Sequence, residues 1–403
     1  MKKVIALLLA VVMLLALVGC GGKTNEDPSA APETPTNGET QQNSESANDN
    51  QTNTGTLEAF DAFPRPRVVK EGLTVGYVHT RSESESQSRT IQQYKIEAGH
   101  RGWNLVDAYY ENDQECRDGI LNLINQDVDA IILFSMESMA SKVDLIAQAR
   151  EKGIGVYCND NQVVEGIIAN SSMPNGVAAM ELLYTIGEEH YWKDQICVLG
   201  SSAVQSHNER VEPIMAIAEV YPEMNWLAYE DITPTGDPAQ VTWDYTQAWL
   251  QKYGDQMTGI VGSCDFIALA AAEAIAQNGD PTGEKCWTAG LDGGSRAWAY
   301  IRDNTPFRYN YAQPFEAYTH NIMELIGQIQ QDGLNPGDEG CLIRVVGECI
   351  YANGRVVTRE NVPAVGESIH AVFDYYGGDP TDPDAWYNWT DAGGAMTITD
   401  GAE

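Results

Sequence analysis

The sequence predicts an α/β protein made of two doubly wound, Rossmann-like lobes with a ligand cleft between them. Three observations predict it. Short apolar runs alternate with stretches of helical periodicity, the signature of βαβ units and parallel sheets. The alternation begins at Leu73 and starts afresh at Val177, giving two halves of similar size. The loops after the apolar runs are polar, and open α/β sheets bind ligands beyond the carboxyl ends of their strands.

Composition bounds the partners. The 403 residues carry 24 Lys+Arg against 58 Asp+Glu, a formal net charge of −34, with 43% hydrophobic residues. That apolar content supports sizeable cores. The charge excludes a nucleic-acid partner, which needs a basic face, and excludes electrostatic attachment to an anionic membrane surface.

Taken in chain order, Lys2 and Lys3 precede an apolar run from Val4 to Val18, too short to span a bilayer and suited to a secretory signal core. The run ends in Leu17-Val18-Gly19-Cys20, which resembles the bacterial lipobox. The resemblance implies removal of residues 1–19 as a signal peptide and lipidation of Cys20. Residues 21–56 are Asn, Thr, Gln, Ser, Glu, Pro and Gly with almost nothing apolar beyond alanine, and read, with Cys20, as a disordered tether over 20–56. A flexible chain of that length spans roughly 30–35 Å. The protein is expected outside the cytoplasm, anchored to the cell membrane through Cys20.

The first lobe reads as strand 73–78, helix 90–101, strand 103–110, helix 116–125, strand 130–134, helix 141–152, strand 154–158 and strand 167–169. The second reads as helix 177–186, strand 196–199, helix 209–220, strand 226–229, helix 243–253, strand 259–261, helix 266–278, strand 287–291, helix 295–303 and strand 308–312. A helix over 317–330 follows, with Ile322, Leu325, Ile326 and Ile329 at i, i+3, i+4 and i+7.

The polar loops supply the candidate site. The first strand is followed by a run that includes Arg81, Glu83, Glu85, Gln87 and Arg89; the third strand ends at Ser135 and the fourth in Asp160-Asn161. In the second half Arg210 enters a helix, and later strands end in Asp265, Asp292 and Gln313. Carboxylates accept from neighbouring hydroxyls while Arg and amide groups donate, so this set suits a polyhydroxylated ligand. Asp265 serves equally well as a helix N-cap. The chain has no Gly-x-Ser-x-Gly elbow, no phosphate-cradling Gly-x-x-x-x-Gly-Lys and no Gly-x-Gly-x-x-Gly after its first strand, so no enzymatic activity is expected. Neither metal nor cofactor is expected, since the cysteines form no CxxC pair and the histidines are scattered. Cys341 and Cys349 could pair; their spacing does not decide it.

From 72 to 362 the chain resembles the type I periplasmic binding proteins of sugar ABC importers, the ribose-binding-protein-like group. The family's Asp-Arg after strand four stands as Asp160-Asn161, its Arg-x-x-Gly-Phe as Arg210-Val-Glu-Pro-Ile214, and its Asn-Asp as Cys264-Asp265. Its Gly-Phe-Asp-Gly turn stands as Gly290-Leu-Asp-Gly293, its Ala-Gln crossover as Ala312-Gln313, and its Thr-x-x-Asn-Val ending as Thr358-Arg-Glu-Asn361-Val362. The resemblance implies a Venus-flytrap receptor with three crossovers, near Ser171, Gln313 and Gly340. The lobes would comprise 57–171 with 314–340, and 172–313 with 341–364. The ligand would be held chiefly by Asp160, Arg210, Asp292 and Gln313, with Asn161, Asp265, Gln87, Arg89 and Ser135 as further candidates. A monosaccharide is implied; an amino sugar, a sugar acid or a nucleoside is the alternative, because the first loop offers charged groups where the family stacks aromatics. ABC permease subunits are the implied partner of a monomer, and presentation of ligand to a membrane receptor is the alternative role. Residues 365–403 lie beyond the resemblance. Their aromatics, Phe373-Asp-Tyr-Tyr376 and Trp386-Tyr-Asn-Trp389, are expected to dock on a lobe.

Overall fold

The computed structural model describes residues 60, 62–80, 84–134, 138–202, 204–233 and 237–401. The expected signal, Cys20 and its tether, together with Arg81, Glu83 and Ser135, lie outside the described residues. Among the described residues no helix is long and apolar enough to cross a membrane.

Lobe one runs β1 (Thr74–Thr80), α1 (Glu85–Arg101), β2 (Asn104–Tyr110), α2 (Asp113–Asn125), β3 (Ala130–Phe134), α3 (Val143–Glu151), β4 (Gly155–Asn159) and β5 (Ala169–Ser172). Local chemistry sets several of these limits. Asn112 caps α2 by accepting from the Glu115 amide. Gly102, at φ 68°, ends α1 in the left-handed conformation that returns its amide to the Ala98 and Gly99 carbonyls. The strands are buried because helices cover both faces. One face packs around Tyr77, Tyr94 and Tyr157, the other around Ile120, Ile131 and Leu133.

Lobe two repeats the scheme with α4 (Asn175–Glu189), β6 (Gln195–Gly200), α5 (Gln205–Val220), β7 (Asn225–Asp231), α6 (Pro238–Tyr253), β8 (Gly259–Gly262), α7 (Asp265–Gln277), β9 (Trp287–Asp292), α8 (Ser295–Arg302) and β10 (Phe307–Ala312). The chain then returns through α9 (Phe315–Ile326), which packs against α1 in lobe one.

Each sheet has six strands. Their orders are β11-β5-β4-β3-β1-β2 and β12-β10-β9-β8-β6-β7, where β11 is Glu348–Tyr351 and β12 is Arg355–Val357. Both contain the doubly wound order 2-1-3-4-5, which opens a crevice where the winding reverses, between β1 and β3 and between β6 and β8. The two edge strands move the third crossover. The sequence placed it near Gly340, with 341–364 in lobe two. Instead β11 pairs in parallel with β5, from Glu348 beside Ala169 to Tyr351 beside Ser172, so the chain stays in lobe one through Tyr351. It crosses over at 352–354, and β12 then pairs antiparallel with β10. Cys341 and Cys349 are both free thiols.

The segment beyond Val362 docks on both lobes, not on one. Ile369, Val372, Phe373, Met396 and Ile398 share a cluster with Ile96 of α1 and with Leu269 and Trp298 of lobe two.

Candidate functional site

The site forms where β4 and β5 of lobe one face the carboxyl ends of β8, β9 and β10 of lobe two. Arg210 stands at its centre. It sits in the second turn of α5, a helix interrupted by Pro213, whose ring nitrogen cannot close the turn back to the Glu209 carbonyl. The Arg210 side chain is only 1% exposed. Its Nε donates to Asn175 Oδ1 at 2.9 Å, and Nη1 donates to the Ser263 carbonyl at 2.8 Å and to Asp292 Oδ1 at 2.9 Å. No partner among the described residues takes Nη2.

Asp292 ends β9 at φ 143°, a region that favours glycine. The next residue must be glycine: a Cβ on Gly293, itself at φ +83°, would stand 2.5 Å from the Ala312 Cα. The same Asp292 Oδ1 accepts from Gln313 Nε2 at 2.5 Å, and the Asp292 side chain keeps 27% of its surface open. Gln313 is oriented at its other end too, with its Oε1 accepting from the Tyr318 hydroxyl at 3.2 Å.

Asp160 faces this group from lobe one. It is also left-handed, at φ 54°, and its Oδ1 accepts from the Ser172 hydroxyl at 2.7 Å. Burial pushes its carboxyl above the ordinary carboxylate value, and the Arg210 charge pulls the other way. Asp292 is raised for the same reason, burial outweighing its bonds to Arg210 and Gln313. Below Arg210, His207 Nδ1 lies 3.1 Å from the Ser263 hydroxyl. Burial, with the Arg210 charge adding to it, lowers this histidine to about 3, so the imidazole is neutral at pH 7.

The remaining candidates divide. Asp265 does not present its carboxylate to the cleft: Oδ2 accepts from the Gly293 and Gly294 amides and Oδ1 from Asn310 Nδ2, all around the Asp292 turn. It is a positioning residue, with its carboxyl raised to about 8 by burial and then by the Asp292 charge. Arg89 is likewise committed. Its guanidinium pairs with the fully buried Glu316 at 2.7 and 2.8 Å and donates to the Gly293 and Gln313 carbonyls. Carried on α1 of lobe one, it reaches the second lobe and the crossover between them. Asn161 spends its side-chain amide on the Leu133 and Asn159 carbonyls. Gln87 donates to the Thr80 hydroxyl, and its buried Oε1 has no partner among the described residues.

Sequence reasoning passed over Ser172 and Asn175 here, and named Glu85 only as part of the polar run after the first strand. Asn175 donates to Glu209 Oε2 at 3.1 Å while orienting Arg210. Glu85 accepts from the Ser295 amide at the start of α8, at 2.7 and 2.8 Å, and so joins the lobes directly. Ser172 and Asn175 lie at the end of β5, so a search of every strand end would have reached them. Beside the Arg210 group a cavity of about 740 Å³ opens between the lobes, lined by Asp160, Asn175, Glu209, Glu212 and Tyr351 among others.

Comparison with known proteins fits this geometry. Residues 86–325 match a family described as periplasmic binding protein domain. A xylitol-binding protein of Mycolicibacterium smegmatis is 26% identical over 163 residues, which is 39% of this chain and 45% of that protein. Among solved structures, a sugar ABC transporter protein from Yersinia enterocolitica superposes with a TM-score of 0.64 at 15% identity, covering 80% of this chain and 94% of its own. A periplasmic solute-binding protein from Actinobacillus succinogenes with bound D-allose gives 0.62 at 17% identity, covering 72% and 98%. These likenesses establish the fold; their descriptions are of binding proteins, not enzymes.

Proposed function

The chain belongs to the periplasmic binding protein family, and on that premise we propose that it captures a small polyhydroxylated ligand by closing its two lobes. The ligand class is a monosaccharide, a polyol or a close derivative, and delivery is to an ABC importer at the outer face of the membrane. The observation that carries this reading is the Arg210–Asp292–Gln313 group with Asp160 opposite it. Two carboxylates that accept, and a guanidinium and an amide that donate, converge from both lobes on one small volume. Vicinal hydroxyls both donate and accept, so a ligand bearing several of them satisfies both kinds of group at once. Contacts made with both lobes favour the closed form over the open one by the free energy of those contacts.

A thermal-shift screen of monosaccharides, polyols including xylitol, amino sugars and nucleosides, followed by calorimetry on the strongest responder, tests the reading. A rise in unfolding temperature with at least one sugar or polyol supports it. No shift with any of these, together with a shift from a peptide or a lipid, overturns it. Anchoring through Cys20 is tested separately: Cys20→Ala should release the protein from the membrane fraction.

A further inference from the structure

Residues 365–401 lie outside the site, yet they carry a dense aromatic set and touch both lobes. Their two ends are joined. Ser368 bridges Thr397, Gly366 N donates to the Ile398 carbonyl at 2.9 Å, and Ile369 N donates to the Met396 carbonyl at 3.1 Å. The segment is therefore a closed loop with a neck and a tip. The neck is fixed to lobe two: Ile369, Met396 and Ile398 pack with Leu269, Trp298 and Ile301, and Thr399 N donates to the Ser295 hydroxyl at 3.1 Å.

The tip rests on lobe one. Trp389 stacks on His100 at the end of α1, with ring centres 3.6 Å apart and planes 12° from parallel, and Arg101 stands over the same indole. Trp386 stacks on His320 of α9 at 4.5 Å and 8°. The tip is itself held in shape, since Trp389 Nε1 donates to the Asp384 carbonyl and Asn388 Nδ2 to the Asp382 carbonyl. Midway, Arg355 of β12 pairs with Asp374 at 2.5 Å. Here Asp374, Tyr375 and Tyr376 form three consecutive non-glycine residues at φ 48–55°. A left-handed run of that kind persists only where surrounding contacts hold it.

We propose that this loop is a strap that fastens the two lobes together and biases the protein toward its closed form before any ligand arrives. Opening the cleft rotates lobe two away from lobe one. A rigid loop anchored to lobe two by its neck can follow only by parting from Ile96 of α1 and lifting Trp386 and Trp389 off His320 and His100. Two aromatic stacks of this geometry shift the open–closed equilibrium by about 5- to 150-fold. Because apparent affinity scales with the closed fraction, the same contacts set how tightly the cleft holds what it binds.

The test needs no ligand, so its outcome is independent of the proposed ligand class. Small-angle scattering is recorded for the ligand-free full chain and for the Trp386→Ala/Trp389→Ala variant, with near-UV circular dichroism to establish that each is folded. The wild type should give the compact closed profile, the double variant a larger radius of gyration, and Trp386→Tyr/Trp389→Tyr a profile close to wild type. His100→Ala, which removes one stacking partner from the surface of lobe one, should shift the profile the same way and serves if the double variant does not fold. A wild type that is already open, or folded variants whose scattering matches it, overturns the proposal.

Discussion

Asp292→Asn is the sharpest perturbation of the proposed site, because it removes a charge while keeping volume and one acceptor. Both protein donors fall on a single oxygen, Asp292 Oδ1, from Arg210 at 2.9 Å and Gln313 at 2.5 Å. The asparagine carbonyl can occupy that place, which puts an NH₂ where the second carboxylate oxygen stood. A ligand hydroxyl donating there then meets a donor and loses a charge-assisted bond worth about 2–3 kcal/mol, or roughly 30- to 150-fold in Kd. Folding should suffer less. Arg210 keeps the Ser263 carbonyl, Asn175 and the field of Asp160, so the loss stays below the ~3–5 kcal/mol expected when a buried charge loses its partner outright, as in Asp292→Ala. Asp292→Gly separates the two effects, since glycine accepts φ 143° without strain worth ~1–3 kcal/mol; it should unfold at a higher temperature than the alanine variant while binding no better. Calorimetry with the strongest responder of the ligand screen, beside ligand-free thermal unfolding, reads both quantities. An Asp292→Asn protein that is folded and binds within threefold of wild type refutes the placement of the ligand at Asp292.

Three further outcomes follow from other contacts. Glu85→Gln removes the carboxylate that receives the Ser295 amide across the lobes; it should weaken ligand binding by roughly 5- to 30-fold in calorimetry, as expected for about 1–2 kcal/mol. Arg89→Ala strands the fully buried Glu316 and should cost about 3–5 kcal/mol in chemical denaturation, whereas Arg89→Met with Glu316→Leu should cost much less. His370 is neutral in the fold, lowered to about 4 chiefly by burial. The unfolded chain therefore takes up its proton first, near pH 6.5, and stability is lost as pH falls from there toward 4. By pH 5 the wild type should lose about 2 kcal/mol more than His370→Gln, measured as the change in unfolding free energy from pH 7.5.

What the sequence made legible was the part governed by local pattern. Runs such as Ala130–Phe134 are apolar throughout because both faces of the sheet are covered, and α9 shows its buried stripe at Ile322, Leu325 and Ile326. The edge strands escaped for the converse reason. Glu348–Tyr351 is half-exposed and mixes charge with apolar residues, and Arg355–Val357 spans one short pairing, so neither has a burial pattern to read. Asp292 and Gln313 were reachable because each lies at or just beyond a strand end, and Arg210 because it lies in the first two turns of the helix that follows a strand. Arg89 was not, because its role is fixed by Glu316, which stands 227 positions away. The same holds for Asp265, whose acceptor duties depend on Asn310 and the Gly293 amide. The aromatics of 373–389 announced docking, but composition carries no record of which lobe receives them.

The electrostatics of the cleft narrow the proposed ligand further than the residue types alone. Asp160 and Asp292 face one guanidinium, Glu209 lines the adjoining cavity and the nearby His207 is neutral, so among the described residues of this group the carboxylates outnumber the cation. Burial raises both Asp160 and Asp292, so hydrogen bonds donated to their ionised forms are favoured there. A sugar acid would add a further anion and, among the described residues of the group, find Arg210, already paired, to receive it. A neutral polyol supplies hydroxyl donors to the strained Asp160 and Asp292 turns, and an amino sugar supplies a charge-assisted donor as well. Of the ligand classes that the sequence left open, the sugar acid is the one this arrangement repels. The proposed ligand cleft thus shares the sign of the −34 charge on the whole chain.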